Sequence, residues 1–327
     1  MVVEKIDDPV KLKALQPEWE SLWDRCPAAT PFQHPGWLLP WWDTFGSGQI
    51  FTFTVRDKSG LIAVAPLFLH EWEGRRQVTF IGNGVSDHLD ILTATDGTCS
   101  LILRALAQDH CWDLCDLQDL SSGMPLLSAE IPAFLHAEVC PQYICSVIPL
   151  PTSWQDYACS LPHGLKRNLR RYRSQLESQG AVTFDTAGPP EFTEYIDALF
   201  QLHRARWAIK EDKGMLDGPA MERFHRIAAR NLSERGLVRL HGLRLDGVLV
   251  AVVYLFSRGQ SAYSYLGGFD PALARFSPGA LIMEYTIQQA ILEGVTSFDF
   301  LRGVEAYKSD WGARKTTTSR LLLRHNP

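Results

Sequence analysis

The stretch SPGALIMEYTIQQAILEGVTSFDFLRG, residues 277–303, reads as a helix followed directly by a strand. Ser277 is a favourable N-cap, Pro278 suits the first helical position, and Gly294 follows the last turn. The apolar run 298–301 predicts a short buried strand. A helix that leads into a buried strand is typical of a mixed α/β domain.

The residues upstream predict helices and an antiparallel meander. Each helical segment has an apolar stripe at helical spacing or a proline at its start, and the Asp246-Gly247 turn is a strong hairpin signal. The final arm, 317–325, is expected to close the same sheet. The predicted helices cover 161–180, 189–210 and 219–236, and the predicted strands cover 237–245, 248–256 and 261–269.

The first half of the chain repeats this order of elements. A turn glycine precedes a strand aspartate by 53 residues from Gly60 to Asp113 and by 52 residues from Gly247 to Asp299. This agreement predicts an internal duplication; coincidence is the alternative, because apolar strands after glycine turns are common. The two predicted domains span residues 1–150 and 151–327.

Composition excludes several classes of protein. The 327 residues carry a net charge of −5, so the chain lacks a general footprint for duplex DNA. Seven cysteines without a C-x-x-C pair indicate free thiols in a reducing compartment, and we expect no metal site. The N-terminus lacks a signal pattern and no apolar run reaches the length of a membrane span, which predicts a cytoplasmic protein.

Several motifs together resemble the GNAT acyltransferases, and more narrowly the tandem-GNAT, FemAB-like branch that includes the CelD-like cellulose-biosynthesis proteins. The resemblance implies an α/β (α+β) fold with two tandem GNAT-like domains, each a mixed, mainly antiparallel sheet flanked by helices. The motifs are PFQHPGWLLPWW at 31–42, LKRNLRRYRSQLESQG at 165–180, LFQLHRARW at 199–207 and the block from 264 to 312.

This resemblance implies an enzyme, an acetyltransferase or other acyltransferase. It would move an acyl group from acetyl-CoA or another acyl-CoA to an amine by direct attack. The acceptor would be a small-molecule or lipid-linked amine, such as an amino sugar or envelope polysaccharide precursor. The second domain would hold the acyl donor and the first would shape the acceptor cleft. Two alternatives remain: an aminoacyl-tRNA donor, or a non-catalytic scaffold in polysaccharide assembly.

The resemblance also implies a donor site at the start of the helix at 277. A helix N-terminus attracts phosphate, and glycines in the preceding strand leave room for a thioester. Proline at 278 replaces the first glycine of the family pattern and removes a donor, which counts against ordinary coenzyme A binding. A plain N-cap and a simple bulge are the alternatives. The predicted cofactor-binding residues are Gly267, Gly268, Arg275, Ser277, Pro278, Gly279 and Ala280.

Charged residues follow the strand at 298–301, where donor and acceptor would meet. Glu305 is the predicted general base, Asp299 the second choice, and Lys308 a further catalytic candidate. The alternative is a solvated loop with ion pairs.

Further residues are predicted to bind substrate. A basic run begins at Lys166 on a helix, and an Asp-His-x-Asp pattern lies in the first half. A solvated face and turn formation are the respective alternatives. The predicted substrate-binding residues are Asp87, His88, Asp90, Arg167, Arg170, Arg206, Trp207, Tyr265, Arg302 and Tyr307.

Overall fold

The computed structural model describes residues 1–208 and 218–326. The chain divides into two compact units, one of Met1–Ile144 with Thr317–Pro327 and one of Cys145–Thr316. Strands β9 (Leu135–Pro149) and β15 (Arg314–His325) each contribute residues to both units.

The first unit is a mixed α/β structure with two groups of strands. One sheet has the order β1-β3-β4-β7, and a second group has the order β15-β8-β6-β5-β2. The elements are β1 (Val2–Ile6), α1 (Pro9–Ala14), α2 (Gln16–Asp24), α3 (Pro35–Phe45), β2 (Gln49–Ile50), β3 (Thr52–Asp57), β4 (Gly60–Ala65), β5 (Leu67–Trp72), β6 (Arg75–Phe80), β7 (Leu92–Thr93), α4 (Thr98–Gln108) and β8 (Leu114–Leu120).

The second unit has one sheet with helices packed on it. Its strand order is β10-β11-β12-β13-β14, followed by the end of β9. The elements are α5 (Trp154–Ser160), α6 (His163–Glu177), β10 (Val182–Thr186), α7 (Phe192–Ala208), α8 (Pro219–Glu234), β11 (Val238–Leu245), β12 (Val248–Arg258), β13 (Ser261–Phe269), α9 (Pro278–Leu292), β14 (Ser297–Arg302) and α10 (Tyr307–Asp310).

The mixed α/β fold is as predicted, and the meander of β11, β12 and β13 is confirmed as antiparallel. Helix α9 buries Leu281, Ile282 and Ile287 in the core of the second unit, together with Val253 and Phe298. The final arm, 317–325, was expected to close the sheet of the meander. Instead, this part of β15 pairs with β8 in the first unit. Partner choice between distant strands is not encoded in a local pattern.

The predicted repeat of elements is present in both units. In the first, β6 runs parallel to β8 around α4; in the second, β13 runs parallel to β14 around α9. The second strand of each parallel pair, β8 or β14, contains a residue with left-handed backbone: Asp119 with φ 61° in β8 and Leu301 with φ 59° in β14. Such backbone is unfavourable for residues with a side chain, so its recurrence at the same place in both repeats marks a shared bend.

Candidate active site

Strands β13 and β14 lie side by side briefly and then separate. Their parallel pairing covers only residues 261–263 and 297–299. On β13 the register against β12 shifts around Tyr265, which becomes an extra, bulged residue. On β14 the left-handed Leu301 donates its N–H to Asp299 Oδ1 at 2.7 Å. The two irregularities turn the strands apart, so the predicted gap is confirmed.

A cavity of about 530 Å³ occupies this gap. Its walls come from α6, α7, β12, β13, Ala274 and the start of α9, β14 and the segment that follows β14, all within the second unit. The predicted site residues that line it are Arg206, Tyr265, Gly267, Gly268, Ser277, Gly279, Ala280, Arg302, Glu305, Tyr307 and Lys308.

The peptide group of Gly267 faces the gap. Asp270 N–H donates to Val250 O on β12 at 2.8 Å. Because successive peptide groups of a strand point to opposite sides, Gly268 also faces β12, whereas Gly267 and Phe269 face the other way. Gly267 N–H is therefore a backbone donor on the open side of β13, where a polarised carbonyl oxygen can bind.

Gly268 allows helix α7 to lie directly against β13. A Cβ at this position would lie 2.7 Å from His203 N and 2.9 Å from Leu202 C. The imidazole of His203 is buried and lines the cavity. Desolvation, with a smaller contribution from Arg206, lowers the pKa of His203 to about 4, so the ring is neutral at pH 7.

The first turn of α9 presents a reduced set of donors. Ser277 has a left-handed φ of 49°, and Pro278 carries no N–H. The N–H groups of Ala280 and Leu281 both donate to Ser277 O, at 2.9 and 3.3 Å. Gly279 N–H has no acceptor within the helix and is the first-turn donor that remains for a ligand.

Lys308 lies under the turn that ends β14. Its side chain is buried, and Nζ donates to Arg302 O at 3.0 Å, while the carbonyl oxygens of residues 300, 301 and 303 lie 3.3–3.4 Å from Nζ and share its remaining protons. Nζ also lies 3.0 Å from Glu305 Oε2. Lys308, predicted as catalytic, is thus placed to hold the backbone turn and the Glu305 carboxylate together.

Glu305 projects toward solvent at the rim of the cavity. Its side chain is 56% exposed and its only ion pair in the described part of the chain is with Lys308. Gly303, with φ 125°, makes this position possible, because a Cβ there would overlap the Glu305 carboxylate. The geometry leaves a carboxylate oriented by a buried ammonium and open to an incoming amine.

Comparison with known proteins identifies the type of domain that forms this cavity. Residues 164–309 match the family described as Acetyltransferase (GNAT) domain. The second unit carries a GNAT acetyltransferase domain. The prediction of an acyltransferase enzyme is thereby confirmed. A search of curated proteins found no match to the chain.

Solved structures share the fold of the whole chain. FemX superposes with a TM-score of 0.65 at 10% identity, covering 98% of this chain and 97% of that one. L-PGS from Bacillus licheniformis gives 0.60 at 16% identity, covering 98% and 93%. The C-terminal domain of a putative lysylphosphatidylglycerol synthetase from Agrobacterium fabrum gives 0.59 at 14% identity, covering 95% and 92%. The TM-scores establish a common fold, and at these low identities the likeness concerns the fold alone.

Three residues predicted at the donor or catalytic site of the GNAT domain lie outside the cavity lining. Asp299 is buried in β14, where its carboxylate accepts the Leu301 N–H. Arg275 is exposed, with its guanidinium 4.5 Å from the Phe276 ring. Pro278 is buried at the start of α9.

The predicted residues on α6 and α7 have different positions. Arg167 and Arg170 are exposed on α6, whereas Leu165 and Asn168 of the same helix line the cavity. Arg206 on α7 lines the cavity with its guanidinium 5.1 Å from the Phe269 ring. Trp207 lies in α7, but its side chain falls outside the described residues.

The cavity lining includes polar residues that were not predicted as functional, among them His203 and Asn168. His203 lies within the predicted helix 189–210, and Asn168 lies within the basic run that begins at Lys166. The sequence gives only a weak indication that His203 is functional, because a histidine on an apolar helix face is more often a core residue. Their positions depend on how α6 and α7 pack, which is a tertiary property.

Asp87, His88 and Asp90, predicted to bind an acceptor, all lie in the first unit and are buried. His88 has a φ of 55°, and its Nδ1 is hydrogen-bonded to Ser121 Oγ. Asp90 Oδ1 accepts the Ile91 N–H at 2.7 Å. Their role in acceptor binding stays a prediction.

Burial of Asp90 predicts a pH-dependent stability. Desolvation raises the pKa of Asp90 to about 7, although backbone hydrogen bonds oppose this. Because the folded pKa exceeds the unfolded value, the folded state holds a proton that the unfolded state lacks between about pH 4 and 7. The stabilisation present below about pH 4 is therefore lost as the pH rises through 7.

We expect Asp90→Asn to remove this dependence and to be about 4 kcal/mol more stable than the wild type at pH 8. At pH 4 the two proteins should unfold at similar urea concentrations. Urea unfolding at pH 4, 6 and 8 measures the difference, with Asp96→Asn as an exposed control from the same unit. Parallel pH profiles for the wild type and Asp90→Asn would contradict the expectation.

Two candidate features are absent from the part of the chain that the structure describes. No helix there is long and apolar enough to cross a membrane. No cluster of three or more histidine, cysteine, aspartate or glutamate side chains is arranged to hold a metal ion among residues 1–208 and 218–326.

Proposed function

We propose that this protein is an N-acyltransferase that moves an acyl group from acyl-CoA to an amine acceptor in the cavity of its GNAT domain. The observation that carries the proposal is the gap between β13 and β14, with Gly267 N–H on one side and Glu305 at the rim. Backbone donor, thioester space and carboxylate are the parts that direct attack requires.

The proposed reaction begins with an amine held at the rim of the cavity. Its lone pair attacks the acyl carbon and forms the C–N bond, while the carbonyl oxygen becomes an oxyanion held by the Gly267 N–H. Glu305 accepts the proton that the amine loses. The C–S bond then breaks, and the electron pair leaves with the coenzyme A thiolate.

Tyr307 is the proposed proton source for the departing thiolate. It lines the cavity at the start of α10. Desolvation, followed by the nearby Glu305 carboxylate, raises the pKa of Tyr307 to about 12, so its hydroxyl remains protonated at neutral pH. A protonated phenol can donate to a thiolate but cannot serve as the base, which separates its role from that of Glu305.

The acceptor proposed here is an amine on an amino sugar or another precursor of envelope polysaccharide, in line with the CelD-like resemblance. We place the reaction in the cytoplasm, where acyl-CoA is available and the seven free cysteines remain reduced.

Direct assay tests the proposal. Purified protein is incubated with acetyl-CoA and a panel of amino sugars and alkyl amines, and mass spectrometry follows the acylated amine while a thiol reagent follows free coenzyme A. Equimolar appearance of both products supports the proposal. Stoichiometric retention of acyl-CoA without transfer to any amine, or absence of binding, contradicts it.

Gly279 provides a test of where the donor binds. We expect Gly279→Leu to weaken acetyl-CoA binding by about tenfold or more, because the side chain enters the cavity beside the remaining α9 donor, where even a Cβ would meet the Phe269 ring at 3.3 Å. Calorimetric titration measures the affinity, with Gln288→Leu later in α9 as the control. Equal affinity in both variants would contradict this placement.

A second candidate donor is an aminoacyl-tRNA. The observation that favours it is the start of α9, where Pro278 removes one donor and Ser277 O occupies two others, which weakens the phosphate site that a coenzyme uses. Release of deacylated tRNA with transfer of the aminoacyl group to the acceptor would support this candidate over acyl-CoA.

A further inference from the structure

We infer that the exposed arginines of α6 bind the nucleotide phosphates of the acyl carrier. This arginine face consists of Arg167, Arg170 and Arg171. The inference rests on the proposed function and extends it, since it names the surface that holds the carrier outside the acyl cavity.

The arginine face carries charge that the folded chain does not neutralise. All three side chains are exposed, and within residues 1–208 and 218–326 none of them forms an ion pair. Arg173 on the same helix differs, because it pairs with Glu284 of α9 at 2.8 Å. The remainder of α6 supplies no compensation, as its one acidic residue is Glu177 at the C-terminal end.

This arrangement is unfavourable for the helix itself. Residues three and four positions apart are neighbours on a helix surface, so Arg170 and Arg171 both repel Arg167, at about 0.2–0.5 kcal/mol per pair. A cluster that costs stability and forms no ion pair within the described residues is accounted for by an anionic ligand.

The arginine face borders the cavity. Leu165, Asn168 and Tyr172 alternate with the arginines along α6 and line the cavity wall. The Arg171 guanidinium lies 5.0 Å from the Tyr172 ring, which joins the two faces. Helix α6 also packs against α9 and against the 3-10 helix Pro271–Phe276 that precedes α9.

The arginine face can supply the phosphate contacts that the start of α9 lacks. Gly279 N–H is the one first-turn donor left there, so the phosphate charge of a nucleotide requires further partners. Arginine provides planar, charged donors that match phosphate oxygens. The same chemistry occurs in coenzyme A and in the terminal nucleotides of an RNA, and the test distinguishes the two sources.

The test uses the full-length triple variant Arg167→Gln, Arg170→Gln, Arg171→Gln. The control is Arg223→Gln, Arg226→Gln, Arg230→Gln on α8, which removes the same charge from an exposed face that contributes nothing to the cavity lining. Each protein is titrated with coenzyme A, with dephospho-coenzyme A and with a 12-nucleotide RNA at three salt concentrations. Transfer from S-acetylpantetheine, which carries no phosphate, is measured in parallel.

We expect the α6 variant to bind its carrier about tenfold more weakly than the control and with a smaller salt dependence. Loss confined to coenzyme A assigns the arginine face to that coenzyme, and loss confined to RNA assigns it to an RNA carrier. Equal affinities for all three ligands in the two variants overturn the inference. Absence of transfer from S-acetylpantetheine in the wild type would instead count against the proposed function.

Discussion

Replacing Glu305 with glutamine is expected to lower kcat for acyl transfer by about 100-fold or more, with little change in the KM for acyl-CoA. Glutamine has almost the same shape and keeps a hydrogen-bond acceptor for Lys308 Nζ, which lies 3.0 Å from Glu305 Oε2. The substitution therefore removes the proton acceptor while preserving the turn after β14. A loss in kcat alone separates a base from a residue that only positions the donor.

Asp310 provides a matched control for this substitution. It is a second carboxylate in the cavity lining, five residues further along the chain and exposed. We expect Asp310→Asn, which makes the same change of charge, to alter kcat by less than about threefold. Similar losses in the two variants would show that net charge matters and would contradict the assignment of Glu305 as the base.

The pH dependence provides an independent measurement. Without Glu305 the amine must lose its proton before it binds, so the residual activity of Glu305→Gln should increase as the pH rises toward the pKa of the acceptor amine. The wild type should depend less steeply on pH over the same range. Steady-state assays from pH 6 to 9.5 compare the slopes, and identical slopes would count against the proposed proton transfer.

Local sequence patterns predicted the elements that form the site. The Ser277-Pro278 start and Gly294 end predicted a helix that the structure places at Pro278–Leu292. The Asp246-Gly247 turn predicted the β11–β12 hairpin, since a turn of that composition determines its neighbours. These signals are short-range, and short-range signals can be interpreted without knowledge of the fold.

The buried orientation of the Lys308 side chain could not be predicted from local sequence patterns. Its buried position over four carbonyl oxygens depends on a left-handed Leu301 and a positive φ at Gly303. Leucine rarely adopts this conformation, so no sequence rule indicates it. A lysine in a charged loop is normally exposed, and the turn reverses that expectation because it collects carbonyl oxygens around one point.

Gly267 and Gly268 illustrate the same limit at adjacent positions. Both were predicted to mark the gap, and both line the cavity. Only the structure shows that they differ. The peptide group of Gly267 lies on the open side of β13, whereas Gly268 presents its bare Cα to the backbone of α7 at His203.

This difference leads to opposite expectations for alanine at the two positions. In Gly268→Ala the new Cβ would lie 2.7 Å from His203 N, and a backbone atom in a packed helix cannot yield without displacing α7. We expect a loss of about 3 kcal/mol in the free energy of unfolding, together with loss of acyl-CoA binding as His203 moves within the cavity. In Gly267→Ala the nearest atom, Val252 O, is 3.4 Å away, which is an ordinary contact.

Gly267→Ala is therefore the control, with a stability within about 1 kcal/mol of the wild type. Urea unfolding and acyl-CoA titration of both variants measure the contrast, and Gly268→Ser extends it, because any side chain meets the same helix backbone. Equal stability of Gly267→Ala and Gly268→Ala would mean that α7 does not lie against β13 as closely as described. In that case His203 would lose its place in the cavity wall, whereas the open peptide of Gly267 would be unaffected, because it depends on β12 and not on α7.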